Sequence, residues 1–232
     1  MFPHAFPRPG FARANSGLAK TPRDPLLLEW VGNLPVPHAP PRSQTTRGWS
    51  VSVAAVVLAA GEASRFGAPK QQILLPEVLT RLRVGPADDI VDEIVVVEGA
   101  YPLPPCAETS QGGSSCRVVH CPEWRSGPGA SLRCGIAALN SSVEAAVVVL
   151  ADAPDLSPQS VARVLDVWRT EGGVVAASYG GHRGHPLVLG RDLWAEVPDE
   201  GLHDRPARLV PCDDLGEPGD VDEPDDLPER FR

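Results

Sequence analysis

A lone lysine in the body of the chain and an aspartate directly after an apolar run are the residues best placed to do chemistry. The 232-residue chain holds two lysines, Lys20 and Lys70, against nineteen arginines. Lys70 closes the stretch Leu58-Ala59-Ala60-Gly61-Glu62-Ala63-Ser64-Arg65-Phe66-Gly67-Ala68-Pro69-Lys70. Small residues let a backbone come close to a ligand, and two glycines permit turns that expose successive N–H groups. Arg65 adds a planar fork of donors and Lys70 a compact point charge. This combination is a site for a polyphosphate. It is neither a Walker A loop nor a dinucleotide fingerprint, because Ala68 and Pro69 separate Gly67 from Lys70.

Asp152 follows the apolar run Ala145-Ala146-Val147-Val148-Val149-Leu150 by two residues. A carboxylate fixed there can hold Mg²⁺ beside phosphate oxygens, since Mg²⁺ commonly takes one or two protein carboxylates and fills its shell with water and phosphate. Alone, such an Asp is more often a turn cap; beside a triphosphate loop the metal reading is preferred. Asp155 reads as a turn or cap residue. Ser126-Gly127-Pro128-Gly129-Ala130-Ser131 places glycines before a helix start, where free N–H groups favour anions. Arg133, one turn on, reads equally as a phosphate contact or a surface residue. His182 and His185 have metal-like spacing, but the glycine-rich turn around them offers no third ligand.

These loops need a scaffold. Short apolar runs at Val53–Leu58, Glu93–Val97, Arg117–Val119, Ala145–Leu150 and Val174–Ala177 suit strands buried on both faces. Helical stretches lie between them at Leu74–Leu82, Ser131–Leu139 and from Ser157-Pro158 to about Trp168, the last opening on a cap residue and an N1 proline. Strands alternating with helices imply an α/β fold with a mostly parallel, doubly wound, Rossmann-like sheet. Residues 186–189 and 208–210 read as added short strands. In such sheets ligands gather at the carboxyl ends of the strands, which is where the candidate loops begin.

Composition bounds the rest. The length suits one domain with a sizeable core. Formal net charge is −9, yet residues 1–50 carry six basic and two acidic residues, so the remainder is more acidic still. An acidic body argues against broad nucleic-acid binding. Nine prolines in residues 1–50 point to a disordered Pro/Arg-rich extension ahead of a domain over 51–232. No apolar run approaches the length of a membrane span. Cys106, Cys116, Cys121, Cys134 and Cys212 form no C-x-x-C pair and no zinc spacing, which reads as free thiols in a reducing cytoplasm.

L-A-A-G-x-x-S-R-x-G-x-P-K resembles the signature loop of the MobA-like NTP transferases, the family of molybdenum cofactor cytidylyltransferases and guanylyltransferases. The resemblance covers about residues 53–227. It implies a nucleotide-diphospho-sugar transferase type of fold, with nucleotide contacts from Leu58, Ala59, Ala60, Gly61 and Gly67. Arg65 and Lys70 take the phosphates and stabilise departing pyrophosphate. Leu150-Ala151-Asp152-Ala153-Pro154 resembles the family's L-x-D-x-P metal loop. Gly219-Asp220-Val221-Asp222-Glu223-Pro224-Asp225-Asp226-Leu227 resembles a late G-D-I-D-T-P-E-D-L segment that approaches the same metal. It implies Asp222, or secondarily Asp220, as partner of Asp152 on Mg²⁺. The alternative is a solvated acidic turn, since thirteen of the last 37 residues are acidic. By the same resemblance Gly129, Ala130 and Ser131 line the base pocket. Gly180-Gly181-His182-Arg183-Gly184-His185-Pro186 resembles a G-x-x-G-H-P element on the acceptor side, giving Arg183 and His185 that role.

Two segments depart from the family pattern. Gln71–Glu77 runs almost straight into a helix, and the stretch from Trp194 to Leu209 is short. Both lie on the acceptor side. The expectation is a Mg²⁺-dependent nucleotidyltransferase that moves NMP from CTP or GTP to a small phosphorylated acceptor, the molybdopterin cofactor among the candidates, releasing pyrophosphate. A different phosphate acceptor such as phospholactate is the alternative within enzymes, and a catalytically silent nucleotide-binding regulator the alternative outside them.

Overall fold

The computed structural model describes residues 51–88, 90–106 and 114–232. The expected disordered extension over residues 1–50 lies outside the described residues. Seven strands form one sheet in the order β3-β2-β1-β4-β6-β5-β7. They are β1 Ser52–Ala59, β2 Glu93–Glu98, β3 Ser115–His120, β4 Val143–Leu150, β5 Val174–Tyr179, β6 His182–Gly190 and β7 Arg208–Pro211. The α-helices are α1 Lys70–Leu82, α2 Pro128–Ala137 and α3 Pro158–Glu171. Six strands run parallel to their parallel-paired neighbours, while β6 runs antiparallel to both β4 and β5. The α/β, mostly parallel sheet expected from the apolar runs is the fold found.

Val53–Val57 of β1 and Ala145–Val149 of β4 are apolar because both faces of the sheet are covered there, and successive side chains of a strand point to opposite faces. Val53, Ala55 and Val57 of β1 pack with Leu75, Val78 and Leu82 of α1 and Val161, Val164 and Leu165 of α3. Val56 faces the other way, with Leu132 and Ile136 of α2. Each face thus supplies a core of aliphatic residues excluded from water, the main favourable term in folding.

Several boundaries moved. Helix α1 begins at Lys70, four residues before the apolar period, and keeps Pro76 in its first two turns. Helix α2 begins at Pro128, with proline at the first helical position. Ser157 holds the N-cap position of α3 with extended backbone, but its hydroxyl bonds Gln159 Oε1 at 3.0 Å instead of capping. β6 is nine residues long, not four, because pairing with β5 carries it back to His182, beyond Leu187 where its pairing with β4 ends.

The free-thiol expectation is corrected for four of the five cysteines. Cys106 is bonded to Cys116 and Cys121 to Cys134, leaving Cys212 free and buried. Spacing rules miss such pairs, because β3 and α2 bring together residues ten and thirteen apart in the chain. No helix among the described residues is long and apolar enough to cross a membrane.

Candidate active site

β1 and β4 run in parallel register up to Leu58 opposite Leu150, so their loops leave the sheet side by side. The register continues into the loops, where Ala151 N–H donates to Leu58 O at 3.0 Å. In the β1 loop, Phe66 and Gly67 N–H both donate to Ala63 O at 3.0 Å. Gly67 closes that turn with φ of 73°, which glycine adopts without a Cβ clash. Phe66 is buried against Leu74 of α1 and Val221 of the C-terminal segment. This small satellite core joins the β1 loop and α1 to the distant C-terminal segment and sets what lies beside it.

Beside it lies Lys70, the first residue of α1 and only 5% exposed. Its Nζ is 2.8 Å from Asp152 Oδ2 and 3.3 Å from Asp222 Oδ1, and it donates to the Val221 carbonyl. One ammonium therefore holds the two carboxylates with those oxygens no more than about 6 Å apart. Arg65 Nη1 reaches the other Asp222 oxygen at 2.8 Å. Burial alone would lower the Lys70 pKa, but hydrogen bonds and charges from Asp152 and Asp222 outweigh it and hold it above the ordinary lysine value. Asp220 is held above the usual carboxylate range by partial burial first, then by the charges of Asp152 and Asp222.

The acidic tail is anchored. Val221 N–H donates to Asp152 O at 3.3 Å and Asp155 N–H to Pro218 O at 2.8 Å. Asp226 Oδ2 accepts from the backbone N–H groups of Asp222 and Glu223 at 3.2 and 2.9 Å. Asp222 is fixed in register by these bonds and by buried Val221. Asp155 meets Arg230 at 2.7 Å, a structural pairing.

A cleft of about 540 Å³ opens over the strand ends, walled by Leu58–Gly61, Gln71, Trp124, Arg125, Ser131 and Asp152. A narrower pocket of about 200 Å³ joins it at Gly61, Gln71 and Asp152 and contains Arg65, Lys70 and Asp222. Beyond Leu150 lie two further cavities of about 190 and 360 Å³, both bounded by Arg183, Gly184 and His185. Arg183 Nη1 donates to Arg205 O at 2.7 Å, while its buried Nη2 has no protein partner. Burial lowers the Arg183 pKa. Burial, aided by the Arg183 charge and opposed by Asp152, pushes His185 down to about 4, so its imidazole is neutral at pH 7.

Of the residues expected from sequence, Leu58, Ala59, Ala60, Gly61 and Ser131 wall the wide cleft. Arg65, Lys70, Asp152 and Asp222 meet in the narrow one. Gly67 forms the turn beneath. Gly129 and Ala130 are buried and do not line the cleft; Gly129 N–H donates to Asp199 O at 3.0 Å. A Cβ on Gly129 would sit 1.7 Å from Pro198 O, so glycine is needed for that approach. Arg133 serves the same packing, bonding Val197 O at 2.8 Å and pairing with Asp199. Among the described residues, no three-ligand cluster includes His182 or His185. Sequence reasoning missed Gln71, Trp124 and Arg125. Trp124 and Arg125 stand just before the glycine run already singled out, and Arg125 stacks on Trp124 at 4.4 Å and pairs with Glu62 at 2.9 Å.

A mostly parallel sheet whose first loop brings Arg65 and Lys70 to Asp152, after the fourth strand, and to Asp222 of the C-terminal segment defines an α/β protein with a charged cleft at its strand ends. Residues 55–210 match the family model of the MobA-like NTP transferase domain, and the chain belongs to that family of nucleotidyltransferases. No curated protein matches it. Among solved structures it is similar to Rv0371c from Mycobacterium tuberculosis H37Rv, at 27% identity and TM-score 0.58 over 76% of this chain and 96% of that one. Rv0371c in complex with manganese matches at 26% identity and TM-score 0.54, over 76% and 96% of the two chains. 4-Diphosphocytidyl-2C-methyl-D-erythritol synthase from Anaerococcus prevotii shares the fold at 14% identity and TM-score 0.54, over 76% and 95%.

Proposed function

We propose that this nucleotidyltransferase moves a nucleotidyl group from CTP or GTP to a small phosphorylated acceptor and releases pyrophosphate. The observation that carries the reading is the meeting of Arg65, Lys70, Asp152 and Asp222 in a pocket that joins the wide cleft, whose wall at Leu58 and Leu150 also bounds a cavity lined by Arg183. The wide cleft takes the nucleoside and the narrow pocket its phosphates. The unpartnered Nη2 of Arg183 supports an anionic acceptor on the other side of Leu150. Molybdopterin is the acceptor class that the sequence resemblance favours.

Asp152 and Asp222, gathered around the one Lys70 ammonium, carry the hard oxygen ligands that a divalent cation takes, Mg²⁺ first and Mn²⁺ as its common substitute. Asp152 and Asp222 would hold it; when bound it supplies charge neutralisation for in-line transfer at the α-phosphorus. Lys70, held charged by both carboxylates, is poised to turn to the β- and γ-phosphates, and Arg65 follows it from the exposed side. An acceptor that is already a phosphate needs no strong general base. The remaining contribution of the chain is positioning in a partly dry cleft. The domain reading is part of this proposal: residues 51–232 carry the activity and residues 1–50 are dispensable.

The test is pyrophosphate release from CTP and from GTP with Mg²⁺ and molybdopterin or phospholactate. Release that depends on the acceptor supports the reading. Nucleotide binding with no release under any acceptor identifies a silent binder instead.

A further inference from the structure

Gln71 is 6% exposed and follows Lys70 on the first turn of α1. Its Nε2 donates to Gly61 O at 3.1 Å. That bond fixes the amide, because a carbonyl accepts only from the NH₂ side. The opposite oxygen, Oε1, is then buried without a partner. A buried acceptor left unsatisfied costs free energy, and native structures rarely leave one without cause. Gln71 also lies where the wide cleft joins the narrow pocket, a position it shares only with Gly61 and Asp152.

We propose that Gln71 Oε1 accepts a hydrogen bond from an O–H group of the bound nucleotide–cation complex, so that the residue reads the ligand with one amide end while its other end holds the phosphate loop. The inference rests on the nucleotide reading above. Phosphate oxygens paired with a divalent cation are deprotonated at neutral pH, so the triphosphate of the complex offers no donor. Gln71 neighbours Lys70 and shares the narrow pocket with Asp152 and Asp222, so the donors within reach are those next to the phosphates. These are a ribose hydroxyl or a water bound to the divalent cation, which typically retains several waters.

Calorimetric titration separates the two. The ligands are CTP and GTP with Mg²⁺, their 2′-deoxy and 3′-deoxy analogues, and Mn²⁺ alone, measured on the native protein and on Gln71→Met. One neutral hydrogen bond corresponds to roughly threefold to tenfold in affinity. If the donor is the ribose, the native protein prefers a ribonucleotide over one deoxy analogue by that factor, and Gln71→Met erases the preference. If it is a cation-bound water, deoxy analogues bind equally well and Gln71→Met weakens Mn²⁺ binding by that factor. Equal affinities of the two proteins for every ligand overturn the inference while leaving the nucleotide reading intact. A native protein that binds no nucleotide overturns both. Should Gln71→Met fail to fold, Gln71→Asn keeps an amide but withdraws it by one methylene and is read against the same outcomes.

Discussion

Lys70 has two duties that pull in one direction. It pairs with both Asp152 and Asp222 in the resting site, and in the proposed function it is the buried cation that a triphosphate meets. Lys70→Ala is expected to weaken NTP binding about tenfold or more, since a charge-assisted contact contributes about 1.5–3 kcal/mol; a direct titration measures it. Asp152→Asn keeps shape and hydrogen-bonding capacity. It is expected to reduce turnover far more than nucleotide affinity, because the benefit of a metal-held charge arises mainly in the transition state; steady-state kinetics beside a binding isotherm show the split. His185 yields a pH prediction. Its folded pKa of about 4 lies below the ordinary 6.5 of histidine, so the unfolded chain takes up the proton more readily. Stability therefore falls as pH drops from about 6.5 towards 4 and this contribution levels off below that. His185→Gln is expected to remove that part of the acid limb, at most about 3 kcal/mol, in urea melts at pH 7, 5 and 4 with chelator present.

At the scale of elements, the N-terminus of α2 is a wall held from behind. Gly129 packs against the backbone of Pro198 and Gly201, and Arg133 ties the same segment to the helix. Gly129→Ala forces a Cβ into the Pro198 carbonyl. It is expected to cost about 1–3 kcal/mol of stability, the usual range for overpacking, and to disturb the nearby wall that Pro128 and Ser131 present to the cleft. Denaturant unfolding and NTP titration on the same variant check both effects. The joint between α1 and the C-terminal segment works differently. There Phe66, Leu74 and Val221 supply the adhesion, and the charged residues beside them follow.

At the scale of the whole molecule, two disulfides bracket β3, one on its entry side and one reaching across to α2. Thiol titration of the unfolded, unreduced chain is expected to find one reactive cysteine, Cys212, and five after reduction. Finding five without reduction would return the cysteines to the free-thiol reading. A chain beginning at Ser52 is expected to keep its melting temperature and its pyrophosphate release. A drop of many degrees would show that residues 1–50 contribute packing.

The local features were legible in the order of the amino acids. Continuous Val/Ala runs specify strands covered on both faces, and their alternation with helices specifies a mostly parallel sheet, because each property depends on neighbours a few residues apart. The loop after β1 stood out for the same reason: Gly61, Arg65, Gly67 and Lys70 lie within ten residues. That Asp222 meets Lys70, across 152 residues of chain, follows from the folded chain alone, since the resemblance pointed to Asp222 as a metal ligand and composition does not tell an anchored carboxylate from a solvated one. The anchor is buried Val221, an apolar residue among acids, whose partners come from two other segments. The cysteine pairs, the antiparallel course of β6 and the unpaired oxygen of Gln71 were hidden likewise. Each depends on which groups meet after the chain has closed, and a spacing rule along the chain carries no such information.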